Sequence, residues 1–146
     1  MKRSIYSALL ALIIVFATSA FFAVPAAAQG RLNDKDVERI MNNLKEDAKK
    51  FRDNFDNAVR KSTVRKTSQE KEARQLVKTF VKQTSGMHSH FKSRKKAESE
   101  LQVVTSTARQ VDDFLTHHPL SPAVENAWGR VRSELDTLGH AFQMEN

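Results

Sequence analysis

The feature that most limits what this chain can fold into is the spacing of its apolar residues beyond Gly30. Val37, Ile40, Met41, Leu44, Ala48, Phe51, Phe55, Ala58 and Val59 follow one another mostly in steps of three and four. An α-helix turns about 100° per residue, so such steps return to one side, and the series is the buried face of an amphipathic helix. Asn33 stands where its side chain can accept a free N–H of the first turn, and Asp34 and Asp36 suit the positive end of the helix dipole. The spacing predicts a helix near 34–61.

Three further stripes follow. Thr67-Ser-Gln-Glu70 has the capping-box pattern, and Ala73, Leu76, Val77, Phe80, Thr84, Met87 and Phe91 continue in phase behind it, predicting a helix near 67–93. Ala97, Leu101, Val104, Ala108, Val111 and Leu115 predict one near 96–117, ended at His117-His118-Pro119 because proline disfavours helical geometry in the residue before it. Ser121-Pro122 opens the last, near 121–143, with Val124, Ala127, Trp128, Val131, Leu135, Leu138 and Phe142 along one face. Gly129 and Gly139 would permit close packing there. Between Phe91 and Ala97 the apolar register slips, which favours a turn over one continuous helix. Four amphipathic helices with short links bury their stripes most economically as an all-α, antiparallel up-down-up-down four-helix bundle, a single domain over 29–146.

Ahead of these helices lies a different kind of segment. Met1-Lys-Arg-Ser is followed by an almost unbroken apolar run from Ile5 to Val24 and then by Pro25-Ala-Ala-Ala-Gln29. Basic start, greasy middle and small residues at the end are the plan of a secretory signal peptide, here 1–28 with cleavage after Ala28. The expectation is a bacterial protein exported to the periplasm or secreted. The alternative is a membrane anchor, since the run approaches the roughly 20 residues that span a bilayer. The chain has no cysteine, so neither a disulfide framework nor a c-type haem is available to it.

Charge is unevenly placed. Arg31–Lys61 holds 9 basic and 7 acidic residues, Ser62–Lys96 holds 10 and 2, and Ala97–Asn146 holds 3 and 8. The middle segment is strongly basic and the last third acidic. Catalytic patterns find no foothold: there is no glycine-rich phosphate loop, no His-Glu-x-x-His and no Glu-x-x-His pair. A non-catalytic protein without a cofactor is expected.

Two surfaces remain as candidates. The first is a methionine and histidine end: in the expected topology Met41, Met87, His88, His90, His140 and Met144 share one end of the molecule, and thioether and imidazole groups suit copper or haem. In architecture, export signal and the pair Met41 and His140, the chain resembles the periplasmic four-helix b-type cytochromes, a resemblance that implies haem held between the first and fourth helices. Helical rotation opposes it, because His140 falls about 160° from the core position Val124, and His88 and His90 diverge by about 200°. Met41 and Met87 then read as core filler, and only a break at Gly86 would let the histidines converge.

The second is the outer face of the second helix. Lys71, Arg74, Lys78 and Lys82 project within about 80° of one another, opposite the apolar stripe. Like charges at successive i,i+4 positions cost a few tenths of a kcal/mol per pair in an isolated helix, which an anionic partner would relieve. The partners expected are an anionic envelope component, a membrane surface, an acidic protein or the acidic half of a second copy. Nucleic acid is disfavoured because no aromatic side chain stands on this face to stack on bases. Val103 and Phe114 fall off the main stripe of the third helix, with Phe114 a candidate subunit contact.

Overall fold

A computed structural model describes residues 32–143, and the N-terminal segment assigned to export lies outside them. Among the described residues there are four α-helices and no strands: α1 (Asp34–Val59), α2 (Ser68–Arg94), α3 (Glu98–His117) and α4 (Pro122–Gln143). No helix among them is long and apolar enough to cross a membrane.

Local chemistry sets the ends. The Asn33 side chain accepts the Asp36 N–H at 3.0 Å, and Thr67 accepts the Glu70 N–H at 3.3 Å. The return half of the second cap is displaced by one residue, since the Glu70 carboxylate takes the Lys66 N–H rather than that of Thr67. Lys66 can present that N–H because its backbone is left-handed, at φ 63°. Lys95, at φ 56°, closes α2 with a 2.8 Å bond from its N–H to the Phe91 carbonyl, and a turn separates α2 from α3. The β-branched middle of α3 stays helical, with the Thr107 hydroxyl donating to the Val103 carbonyl one turn back. At the start of α4 the Ser121 carbonyl, at 3.0 and 3.1 Å, accepts from the Val124 and Glu125 N–H groups.

The apolar stripes meet in one core drawn from all four helices. α1 packs along both α2 and α4, α2 along α3, whereas α3 and α4 touch more sparingly. Helix directions follow from cross-links. The end of α1 meets the start of α2 through Asp56 and Arg74, and the end of α2 returns to the start of α1 through Lys95 and Glu38, 3.2 Å apart. Asp47 faces Arg130 while Asn54 reaches the Ala123 carbonyl, so α1 and α4 also run in opposite senses.

Trp128 sits at the centre of the aromatic packing. Its ring lies 4.7 Å from that of Phe51 on α1 and 5.3 Å from that of Phe80 on α2, centroid to centroid. Its indole N–H donates to Asp112 Oδ1 on α3 at 2.6 Å, so the polar atom of a buried side chain is satisfied. Gly129 and Gly139 do not serve close packing, since a Cβ at either would meet nothing within 4 Å.

Candidate functional site

α2 carries the cluster of cations. Its buried residues Ala73, Val77, Phe80, Thr84, Met87 and Phe91 fix one side against the core, and 100° steps put Lys71, Lys78 and Lys82 on the opposite side. All three are exposed and none forms an ion pair with a described residue. Arg60, Lys61, Arg65 and Lys66, also exposed, crowd the turn from which α2 starts, and Lys92, Arg94 and Lys96 follow at its end. Each side chain can keep its ammonium or guanidinium hydrated while its stem lies on the helix surface.

Arg74 does not belong to this free set, contrary to the expectation from rotation alone. It lies at the edge of the face nearest α1, and its guanidinium bridges Glu70 at 2.9 Å and the Asp56 carboxylate. With 28 % of its side chain exposed, it is spent on joining α1 to α2. The Lys66 N–H, and after it Arg74, hold the Glu70 carboxyl below its ordinary range. One half of this arrangement was legible, because Glu70 stands four residues before Arg74. The Asp56 half depends on the register between two helices, which the sequence does not display.

The methionine and histidine end is not assembled among the described residues. Met41 and Met87 are fully buried in the core. α2 runs unbroken through Gly86, so His88 and His90 point to different neighbours. His88 is half-buried toward α1, and burial first, then the charge of Lys45, lower its pKa. His90 faces α3, with Nδ1 2.5 Å from Glu100 Oε1, a contact that holds the Glu100 carboxyl below its ordinary range. His140 is exposed in a groove of about 510 Å³ between α3 and α4, which Met41 does not line. Met144 lies outside the described residues. No group of three or more His, Asp or Glu among the described residues is placed to hold a metal. The pairing that suggested a cytochrome thus has one member in the core and the other on the surface.

Two apolar expectations on α3 separate. Val103 is 51 % exposed, beside a shallow groove between α2 and α3. Phe114 instead is half-buried, packing on Phe55 of α1, with centroids 5.7 Å apart, and on His118. One further group escaped the sequence reading: Glu134 on α4, whose Oε2 atom is enclosed without a hydrogen-bond partner among the described residues.

No protein-family model matches the chain, and neither the curated proteins nor the solved structures yield a match to it.

Proposed function

We propose that this is an exported bacterial cell-envelope protein whose four helices form an antiparallel up-down-up-down bundle and which binds an anionic envelope component without catalysis. The reading rests on the exposed row Lys71, Lys78 and Lys82, unpaired among the described residues and continued by the basic α1–α2 turn. Arg74 contributes by fixing the α1–α2 angle rather than by touching the partner. The helix-pair directions and the shared core support the bundle, and the tripartite segment 1–28 supports export to the periplasm or beyond.

Binding of this kind is electrostatic, so it weakens as salt shortens the reach of each charge to about 8 Å at physiological ionic strength. The test is co-sedimentation of the chain with anionic vesicles, neutral vesicles and cell-wall material across a salt series. Preference for an anionic arm that fades with salt, and that Lys71→Gln, Lys78→Gln and Lys82→Gln together abolish, is the expected result. Equal sedimentation in all arms, or indifference to the triple substitution, sinks the reading.

A further inference from the structure

Glu134 lies on α4 next to the buried Leu135, one turn from the buried Val131 and Leu138. The charged groups acting on it are Asp47 and Lys50 from α1 and Arg130 from its own helix. Asp47, only 14 % exposed, already engages both cations, with Lys50 Nζ 3.1 Å from its Oδ1 and Arg130 Nε 3.7 Å from its Oδ2. An ionised Glu134 would therefore be a second, partly buried carboxylate beside the first, with no cation of its own. Lys50 and Arg130 both act on the two carboxylates, but only the Arg130 contact with Asp47 crosses from α4 to α1, since Lys50 pairs with Asp47 within α1. Arg130 stands four residues before Glu134, the spacing of helical neighbours, and 54 % of its side chain is exposed, leaving it free to swing.

We propose that Glu134 is a proton-operated switch at the α1–α4 contact: protonated, it leaves Arg130 to bridge to Asp47; ionised, it draws Arg130 into a pair within α4 and loosens the tie between the helices. The 3.7 Å reach from Arg130 to Asp47 is near the limit for an ion pair, so little opposes the exchange. Burial, and after it the Asp47 charge, push the Glu134 pKa from 4.5 up to about 7, against the smaller opposing effects of Arg130 and Lys50. The exchange is thus centred near neutral pH. Its effect on stability begins lower. Below 4.5 the group is protonated folded or unfolded; between 4.5 and about 7 only the folded state keeps the proton, so stability falls as pH rises through that window; above it the full cost persists.

The experiment is an NMR titration of glutamate-labelled full-length chain, with the Glu134 carboxyl carbon assigned by Glu134→Gln. A midpoint near 7 is expected, moving down in Asp47→Asn and up in Arg130→Gln. A midpoint near 4.5 overturns the proposal. Urea unfolding gives an independent reading: Glu134→Gln should match the parent near pH 4.5 and exceed it near pH 8.5. An offset that is the same at both pH values means Glu134 is merely structural. Amide-exchange protection around Asp47 and Arg130, corrected for intrinsic rate, should fall between about pH 6 and 8 in the parent and not in Glu134→Gln. Unchanged protection in the parent would refute the switch.

Discussion

Trp128 ties α4 to the other three helices by different means: ring contacts to Phe51 and Phe80, and an indole hydrogen bond to Asp112. The bond matters more than its net strength suggests, because removing the acceptor strands the indole donor of a side chain that is only 2 % exposed. Asp112→Ala is expected to cost about 1–3 kcal/mol on that ground. The same substitution releases Arg132, whose guanidinium lies 3.6 Å from Asp112 at the surface, a contact worth little. Urea unfolding followed by tryptophan emission measures this directly, since Trp128 is the sole tryptophan. A loss below about 0.5 kcal/mol would mean that water replaces the carboxylate. Individual side chains are also where the sequence was least informative. Periodicity assigned Trp128 to the core but not its partner, and it grouped Arg74 with the lysines because rotation about one helix says nothing of what the neighbouring helix presents.

The helices themselves were the legible part. Steps of three and four, Asn33, Thr67 and Ser121-Pro122 located four elements whose observed limits lie close to those the pattern gives, because capping and amphipathicity are local properties. The ends of α1 and α2 show where locality fails. α1 stops at Val59 rather than Lys61, in a turn where Ser62 donates its hydroxyl to the Val59 carbonyl. α2 reaches Arg94 because Lys95 accepts a left-handed backbone to close it, a conformation that its residue type would not suggest. Gly86 tests the continuity of α2 on which the fate of His88 and His90 depends. It is exposed and helical, and an added Cβ meets nothing within 4 Å. Gly86→Ala should therefore stabilise the chain by about 0.5–1 kcal/mol, by restricting the unfolded backbone. Destabilisation on thermal or urea unfolding would mean that the helix opens there, and the histidine pair would merit metal titration.

At the scale of the whole molecule, the all-helical class and the number of helices among the described residues were readable and partnership was not. The short links and four stripes leave few arrangements open, whereas Glu134 and Asp47 come together only through packing of the first helix on the last. The proposed export makes a simple expectation for the intact mass of the chain recovered from the cell envelope: cleavage after Ala28 gives a product beginning at Gln29. A mass that retains residues 1–28 favours the anchored alternative. The order of the helices carries its own consequence for how the chain is made. α1 packs along α4, so Phe51 waits for Trp128, 77 positions further on, before its ring is covered. Contacts between such distant residues form only after a costly closure of the intervening chain. During synthesis the first three helices emerge with one flank of α1 bare, and α4, which follows them in the chain, supplies its cover. A nascent chain of this design stays loose until α4 has emerged, and a ribosome-stalled fragment ending before Pro122 should be far more open to protease than the chain that includes α4.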